Sequence, residues 1–463
     1  MKYQRDAMIE QNATQALRQL LGDRFTTSES DREIHGRSES HFDLMPPAAV
    51  AYPTTTDEVQ RIVEICARSD VPMIGWGTGT SLEAQTGADD SSLTIDFYQM
   101  NKIRHIDPEN MLITVEPGIT RKEVNEALRD TGLFFSVDPG ANASIGGMAA
   151  TRASGTTTVR YGTMRDAVKA LEVVLADARI IKTGTYAKKT SAGYDLTALM
   201  VGSEGTLGLI TELTLKLHPI PEAISVGIVA FGSFGGAVQS VIETIQMALP
   251  MARMEFVDTA TVQAFNAYAD RNMPLMPHLL FELHGSEDSV KQDAETFGTI
   301  CRENGGQDFE CSERTEDRTA LWSLRHNGYY AILAARKGAR AVVTDICVPI
   351  SHLADAVEET RADIAASGLM GPILGHVGDG NFHSVLLLDP ENKAEHETAL
   401  ALSDRMAQRA LAYGGTCTGE HGVGIGKKKF MEAEHGPAWD VMGAIKQALD
   451  PHNLMNPGKL VRD

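Results

Sequence analysis

The sequence predicts an α+β protein built from two or three domains, and three observations support this prediction. Its 463 residues exceed the size at which a single hydrophobic core usually stops growing. Strand and helix signals alternate through the first half, and at 219–221 two prolines bracket one residue, as at a domain boundary. We expect an N-terminal helical segment at residues 1–45, a first domain at 46–221, a second at 222–410 and a C-terminal segment at 411–463.

Two helices of the first domain are predicted from their N-terminal signals. Thr55 with Glu58, and Thr120 with Glu123, each match a capping box, and apolar residues follow both at helical spacing. Short apolar runs near these helices predict buried strands. These runs are residues 71–74, 93–97 and 111–115.

The later elements are predicted from alternation and from turn residues. Residues 171–175 and 180–181 predict a hairpin whose turn contains Ala178, although glycine would suit that turn better. Beyond the two prolines, strands alternate with longer helices, which predicts a second α+β layer with an antiparallel sheet. The predicted strands are 225–231, 279–284 and 341–348, and the predicted helices are 235–248, 288–304 and a stretch from about 400 onwards.

Composition and charge exclude several classes of protein. A net charge of −20 argues against binding nucleic acid or an anionic lipid surface, because both need clustered lysine and arginine. No apolar run approaches the 18 or so residues of a membrane-spanning helix. The first 21 residues carry charges throughout, which indicates a helix and not a secretory signal.

The five cysteines are scattered and form no CxxC pair, which is typical of neither a disulfide framework nor a zinc ribbon. A reducing compartment therefore fits best. For a bacterial protein we expect the cytoplasm or the inner face of the inner membrane. A homodimer is compatible with the sequence.

The first of three glycine-rich loops, residues 75–81, follows a predicted strand, as a phosphate-binding loop should. An NAD-binding loop of the Rossmann type would need a glycine where Thr80 stands, although Asp96 lies at about the right distance, some twenty residues on. A turn that binds no ligand is a further alternative.

Two more loops rich in small residues occur in the same domain. Residues 138–150 lead into 153–155 and 160–162, and residues 202–212 repeat the composition. So many small residues cannot build a tightly packed core, but they suit a backbone that lies flat against a large planar ligand.

Together the three loops resemble the FAD-binding domain of the vanillyl-alcohol oxidase, or p-cresol methylhydroxylase, type. Glycolate oxidase and D-lactate dehydrogenase flavoprotein subunits share this fold. The resemblance implies that the first loop wraps the diphosphate, the second follows the ribityl chain and isoalloxazine ring, and the third closes over the adenine side. None of the loops contains histidine or cysteine, so non-covalent FAD is expected. The residues assigned to FAD in this way are Gly77, Thr78, Gly79, Thr80, Pro139, Ser144, Gly146, Gly147, Ser154, Gly155, Tyr161, Glu204, Gly205 and Ile210.

The second half contains a candidate metal site. His376 and His383 lie seven residues apart around a glycine-rich kink, and Glu420 precedes His421. Two imidazoles and a carboxylate form a three-ligand site with an open position for zinc, manganese or iron, although ordinary hydrogen-bonded turn residues are the alternative. In an oxidoreductase the open position would hold a substrate hydroxyl, and His421 could take its proton.

The pattern GHxGDGNxH with a later GEHGxG resembles the C-terminal signature of FAD-linked 2-hydroxy acid dehydrogenases. It implies that His376, His383 and Glu420 bind zinc or manganese and that His421 is the base. Asp379 and Asn381 are expected to shape the loop. Residues 422–428 only superficially resemble a nucleotide-binding P-loop, because the GxxxxGK[ST] spacing is missing.

Arg325 is the candidate clamp for the substrate carboxylate, because a guanidinium binds carboxylates in bidentate geometry and the family has an arginine in this context. The alternative is a surface arginine at a helix end. Arg336 and Arg340 are less specific candidates. Asn456 lies in a terminal NPGK motif that, by resemblance, returns to the flavin.

The resemblance extends over residues 35–463 and is strongest to the cytochrome-linked D-lactate dehydrogenases, at 115–122, 160–166 and 415–422. It implies an FAD-dependent dehydrogenase that oxidises D-lactate, or a similar small D-2-hydroxy acid, to the 2-oxo acid. Hydride would pass to flavin N5 and electrons to a cytochrome or quinone. Trp76 and Ala178 depart from the family pattern.

Three alternative functions remain compatible with the sequence. The same machinery could act on glycolate or on a larger acid such as D-2-hydroxyglutarate, with Arg340 or Lys337 as a second clamp. A metal-dependent hydrolase could use the same three metal ligands. A flavin-binding subunit could also be inactive without its partners.

Overall fold

The computed structural model describes residues 9–462, so the first eight residues of the predicted N-terminal helix lie outside the described part. The strands are β1 (Phe25–Thr26), β2 (Ala49–Ala51), β3 (Met73–Trp76), β4 (Leu93–Asp96), β5 (Ile103–Asp107), β6 (Leu112–Val115), β7 (Leu133–Phe134), β8 (Val168–Val174), β9 (Ile180–Gly184), β10 (Leu209–Lys216), β11 (His218–Pro219), β12 (Ala223–Phe231), β13 (Met251–Val257), β14 (His278–Gly285), β15 (Gly306–Ser312), β16 (Arg340–Val343), β17 (Ile346–Cys347), β18 (Ile373–Gly375) and β19 (Asn381–Leu388).

The helices between these strands differ widely in length. They are α1 (Gln11–Leu21), α2 (Glu29–Gly36), α3 (Thr56–Arg68), α4 (Arg121–Leu128), α5 (Ile145–Thr151), α6 (Thr158–Tyr161), α7 (Met164–Ala167), α8 (Leu196–Met200), α9 (Phe234–Gln246), α10 (Thr259–Ala269), α11 (Glu287–Glu303), α12 (Thr315–His326), α13 (Gly328–Ala334), α14 (Leu353–Ser367), α15 (Lys393–Ala412), α16 (Met431–His435) and α17 (Pro437–Leu449). Within residues 9–462, none of them combines the length and apolarity that crossing a membrane requires.

The chain forms two compact units. The first comprises the residues up to Ser154, Thr163–Pro219 and the residues from Glu420 onwards. The second comprises Gly155–Gly162 and Ile220–Gly419.

The first unit contains a mixed sheet and an antiparallel one. The order β1-β2-β4-β3 includes the parallel pairs β2–β4 and β3–β4, whereas β5-β6-β10-β8-β9 is antiparallel throughout. Helix α3 buries Val59, Ile62, Val63 and Cys66 in the core, as its spacing predicts. The predicted β8–β9 hairpin is confirmed, with Ala178 in the left-handed region at φ 63°.

The two predicted capping boxes have different outcomes. Thr120 and Glu123 form a complete box at the start of α4. At α3 only half of the box forms, because the Thr55 side chain accepts a hydrogen bond from the Glu58 backbone but the Glu58 carboxylate turns elsewhere. It binds the Arg24 guanidinium at 2.6 and 2.5 Å and the Thr54 backbone N–H at 2.7 Å. The bidentate pair with Arg24 makes two charge-assisted hydrogen bonds, whereas the capping interaction that it replaces would make one.

The second unit is built on one large antiparallel sheet. Its order is β15-β12-β14-β13-β18-β19-β16, with β17 paired to β19 outside this path. The predicted strands 225–231 and 279–284 are confirmed as β12 and β14. The predicted strand 341–348 is broken into β16 and β17 at Thr344 and Asp345, whose fully buried side chains accept hydrogen bonds from Ser384 of β19 and from Thr418, respectively.

Candidate active site

In the first unit, the first and second glycine-rich loops lie against each other. A Cβ atom at Gly77 would overlap the Ser144 hydroxyl, and Gly79, at φ 69°, leaves no room for one above the Trp76 indole ring. The two glycines therefore allow a backbone path that other residues would block. Ser144 precedes α5, on which Gly146 and Gly147 form the first turn.

Three buried polar atoms in this part of the first unit lack a hydrogen-bond partner among the described residues. They are Ser81 Oγ, Ser144 Oγ and Asn456 Oδ1. Leaving a buried polar group unsatisfied costs about 1–3 kcal/mol, so such atoms suit a ligand that carries hydrogen-bonding groups. Two of the three belong to residues that the sequence assigns to FAD, and the residues present therefore fit this cofactor.

Glu204 in the third loop has a role that the sequence did not predict. Its carboxylate accepts the backbone N–H groups of Val423 at 2.6 Å and Gly424 at 2.8 Å, and its carbonyl oxygen accepts a hydrogen bond from the Asn456 amide. Burial raises the pKa of Glu204 to about 7 against the effect of these bonds. Glu204 thus holds the loop that follows His421.

The remaining residues assigned to FAD are distributed over both units. Gly205 follows Glu204, Ile210 lies in β10, and Pro139 precedes α5 in the chain. Gly155 and Tyr161 belong to the second unit. Their contacts with FAD stay predictions.

In the second unit, both candidate histidines present the same ring nitrogen. His376 follows β18, and its Nδ1 donates to Glu255 Oε1 at 2.6 Å. His383 lies in β19, and its Nδ1 donates to the Thr344 carbonyl at 3.0 Å. Because both Nδ1 atoms face oxygen acceptors, Nε2 is the nitrogen on each ring that can bind a metal. Ligand atoms of the two rings lie within 4.8 Å of one another.

The last two residues of the second unit, Thr418 and Gly419, are held in place by contacts with Asn381 and Asp345. Gly419 lies so close to the Asn381 amide that a Cβ atom would overlap it. The Asn381 amide donates to Asp345 Oδ1 at 2.7 Å, and Thr418 Oγ1 donates to Asp345 Oδ2 at 2.7 Å. The next residue along the chain, Glu420, begins the last segment of the first unit.

Within the first unit, Glu420 and His421 are neighbours in space as well as in sequence. Glu420 Oε2 accepts a hydrogen bond from Ser154 Oγ at 2.9 Å, and Glu420 Oε1 lies 3.9 Å from His421 Nε2. The His421 carbonyl accepts a hydrogen bond from the Gln85 side chain at 2.6 Å. The Glu420 side chain and the His421 backbone are thus held by groups of the first unit.

Arg325 is buried, so the alternative of a surface arginine is wrong. Its Nε and Nη2 bind Glu255 Oε2 at 2.9 and 2.6 Å. Glu255 therefore connects Arg325 to His376, and we call these three residues the Glu255 relay. The Nη1 side of the guanidinium is not used by Glu255 and could bind an anion. Arg336, a less specific candidate, is bound to Glu395 at 2.8 and 3.1 Å.

A second buried carboxylate, Glu282 on β14, lies on the same sheet face as Glu255. The register opposes Arg253 to Glu282, and alternation along β13 and β14 brings Glu255, Glu282 and His284 to one face. Helix α12 covers this face with residues spaced four and three apart. These residues are Arg318, Trp322 and Arg325.

The partners of Glu282 fix the orientation of the Tyr161 hydroxyl. Arg318 donates two hydrogen bonds to Glu282 at 2.9 Å, Trp322 Nε1 donates another, and His284 Nε2 donates at 2.6 Å. Burial opposes ionisation, but these donors hold the pKa of Glu282 far below its usual range. With its Nε2 proton on Glu282, neutral His284 can only accept at Nδ1, so Tyr161 donates its hydroxyl proton there at 2.6 Å.

Neither Glu255 nor Glu282 was predicted from the sequence as a functional residue. The signal was present, since each is a lone acidic residue inside an apolar strand, MARMEFV and HLLFELHG. A carboxylate at such a position is almost never buried without a cationic partner. Apart from His284, which lies two residues from Glu282, their hydrogen-bond partners lie 36 to 121 residues away in sequence, which no local pattern reveals.

The fold and the site together define a flavin-dependent oxidoreductase. The chain matches the FAD binding domain family over residues 47–184 and the family of FAD linked oxidases, C-terminal domain, over residues 220–460. It therefore belongs to the FAD-linked oxidase family. This finding excludes the hydrolase alternative.

Two relatives place the chain within that family, and one solved structure shows the same fold. It is 46% identical to "Probable D-lactate dehydrogenase, mitochondrial" of Danio rerio, over 96% of this chain and 91% of the relative. It is 40% identical to "D-lactate dehydrogenase [cytochrome], mitochondrial" of Arabidopsis thaliana, over 96% and 79%. Crystalline p-cresol methylhydroxylase with bound substrate has the same fold, with a TM-score of 0.78, 17% identity and 96% coverage of each chain. The predicted fold class is confirmed.

The expectation of a cytoplasmic location is wrong, because both relatives are named as mitochondrial. The cysteine pattern indicates only a reducing environment, which several compartments provide. The targeting signals that direct a protein to a compartment are recognised by receptors, so the location does not follow from the composition of the folded domains.

Proposed function

We propose that the chain is an FAD-dependent dehydrogenase that oxidises D-lactate to the 2-oxo acid. The observation that carries this proposal is the 46% identity to a D-lactate dehydrogenase over nearly the whole chain. It is supported by the pair of histidines, which present Nε2 from rings held at Nδ1.

We propose His376, His383 and Glu420 as the ligands of a divalent metal ion, zinc or manganese. The donor set of two neutral imidazoles and one carboxylate suits either ion and leaves coordination positions for substrate. When bound, FAD supplies the hydride acceptor and the cation polarises the substrate hydroxyl. Non-covalent attachment of FAD is part of this proposal.

The protein side chains then bind and orient the substrate. The Nη1 side of Arg325 would hold the substrate carboxylate, while Glu255 keeps the guanidinium from rotating. His421 would take the hydroxyl proton, since an imidazole is basic enough to do so near neutral pH. Fixed placement of these groups lowers the entropic cost of reaching the reactive geometry.

Steady-state assays with an artificial electron acceptor test the substrate assignment. D-lactate should give the highest kcat/KM among D-lactate, L-lactate, glycolate and D-2-hydroxyglutarate. Arg325→Lys should lower kcat/KM for D-lactate by about 100-fold, because an ammonium lacks the rigid planar fork with which the guanidinium binds Glu255 on one side and a carboxylate on the other. Arg314→Lys, at an exposed position in the same unit, is the matched control. Equal activity on both lactate enantiomers would contradict the proposal.

D-2-hydroxyglutarate is the second candidate substrate, and one observation favours it. Arg340 begins β16 with an exposed side chain, and this larger acid carries a second carboxylate, a group that a guanidinium binds well. Arg340→Ala should lower activity on D-2-hydroxyglutarate selectively if that acid is the substrate. An equal, small effect on both acids would leave D-lactate as the assignment.

We further propose a cytochrome as the electron acceptor, because one relative carries that designation in its name. Under anaerobic conditions, the purified enzyme with D-lactate should reduce a c-type cytochrome faster than a soluble quinone. The reverse order would make a quinone the acceptor. A homodimer stays a prediction, which sedimentation velocity tests.

A further inference from the structure

His35 in α2 is a buried histidine that the site described above does not use. Its Nδ1 lies 2.7 Å from the Asp31 carbonyl oxygen, and its Nε2 lies 2.9 Å from Asp96 Oδ2. Both partners accept hydrogen bonds. A neutral imidazole carries only one N–H, so the arrangement satisfies both acceptors only when the ring is an imidazolium.

The surroundings of His35 favour the positive charge. Asp96 Oδ1 accepts the Tyr98 backbone N–H at 2.8 Å, so both Asp96 oxygens act as acceptors. The other titratable neighbours are Asp31, on the same helix, and Tyr52, whose ring lies 5.9 Å away. Burial, together with Asp31 and Asp96, raises the pKa of Tyr52 to about 12, which keeps it neutral.

The same ring contacts the first glycine-rich loop through one residue. The His35 and Trp76 ring centroids are 4.9 Å apart, a distance at which a cation attracts an aromatic ring. Trp76 ends β3, and Gly79 rests on its indole without room for a side chain. His35 therefore packs against Trp76, and Trp76 in turn packs beneath Gly79 of the loop at residues 77–80.

We propose that His35 is a positively charged positioning residue for FAD. Its imidazolium, paired with the Asp96 carboxylate, holds Trp76 under the loop at residues 77–80, and protonation of the ring removes the net negative charge of this pair behind the site of the cofactor diphosphate. The inference rests on the assignment of this loop to FAD. It also gives Asp96 a different role from the ribose contact of a Rossmann fold, because its carboxylate is used by His35 and Tyr98.

A dependence of FAD affinity on pH follows. The hydrogen bonds to Asp96 and Asp31 outweigh the effect of burial and raise the pKa of His35 above its ordinary value of 6.5. FAD should bind more tightly to the protonated form, and its affinity should fall by about tenfold as pH rises through this transition. By reciprocity, bound FAD should raise the His35 pKa further.

Histidine NMR and FAD titrations on the full chain test the proposal. Labelled His35 should give an imidazolium signal at neutral pH, and the flavin-fluorescence Kd should rise with pH. Asp96→Asn should abolish both, because the asparagine amide can donate to a neutral ring and so keeps the packing. His105→Gln, at an exposed strand position in the same unit, is the control and should behave like the unchanged protein.

Three results would overturn the inference. The first is a neutral imidazole signal for His35 at neutral pH. The second is a pH-independent FAD Kd in the unchanged protein, and the third is an unaltered pH dependence in Asp96→Asn. If the protein bound no FAD at any pH, the proposed function would fail, whereas the NMR signal would still report the charge of His35.

Discussion

Replacing Glu255 with glutamine tests the link between the buried carboxylate and the candidate metal site. The substitution keeps the size of the side chain but removes the charge and turns one acceptor oxygen into a donor. Glu255 is fully buried and accepts hydrogen bonds from both Arg325 and His376, so one of these donors must then face the new amide N–H₂ group.

The expected magnitudes follow from this geometry. Breaking a buried ion pair from one side costs about 3–5 kcal/mol, because Arg325 is left charged and poorly compensated. The loss of the carboxylate on His376 Nδ1 should weaken metal binding by about 10- to 100-fold. The free energy of unfolding and the metal affinity should therefore fall together.

Denaturant unfolding and competition with a chromophoric chelator measure the two effects. Glu310→Gln, at an exposed position of β15 in the same sheet, is the control and should change neither. The double variant Glu255→Gln with Arg325→Met should regain part of the stability but not the metal affinity. If Glu255→Gln unfolds more easily yet binds metal as tightly as before, the relay is purely structural and the reasoning fails.

Three further outcomes are expected. Ala178→Gly should stabilise the protein by about 1 kcal/mol in thermal unfolding, because φ 63° strains alanine; a lower Tm would contradict this. The hydrogen bond from Arg24 lowers the Glu58 pKa to about 2, so this pair should stabilise the fold above pH 4.5 and lose its effect as pH falls towards 2. Since Glu58 is partly exposed, Glu58→Gln should cost no more than about 1 kcal/mol at pH 7, and a cost that persists at pH 2 would refute the assignment. Tyr161→Phe should lower kcat by about tenfold with the fold intact, because it removes a hydroxyl whose proton is donated to His284 and whose oxygen therefore only accepts hydrogen bonds from other groups; unchanged kcat, KM and FAD Kd would show that Tyr161 contacts neither substrate nor flavin.

Local signals in the sequence were sufficient for elements whose residues interact with near neighbours. The α3 stripe, the Thr120 capping box and the hairpin at Ala178 all depend on residues within a few positions of one another. The resemblance to a known family supplied the fold class and the cofactor. It also singled out Arg325, whose burial the local sequence alone did not predict.

The features that were not predicted depend on contacts between residues that are far apart in the sequence. Glu58 leaves its capping position because Arg24 competes for it. The predicted strand at 341–348 is broken because Asp345 is needed by Asn381 and Thr418. Tertiary ion pairs and buried hydrogen bonds overrode local propensity in both cases.

The proposal that D-lactate reduces the bound flavin with the help of a metal ion is tested by anaerobic reduction of the flavin. The metal is first removed with a chelator and then restored. The account predicts a yellow protein whose flavin absorption bleaches rapidly with D-lactate but not with L-lactate. Reduction should slow by at least about 100-fold without metal and recover on addition of zinc or manganese. A flavin that D-lactate reduces equally fast with and without metal would contradict the proposed role of His376, His383 and Glu420, and one that D-lactate never reduces would contradict the proposed function itself.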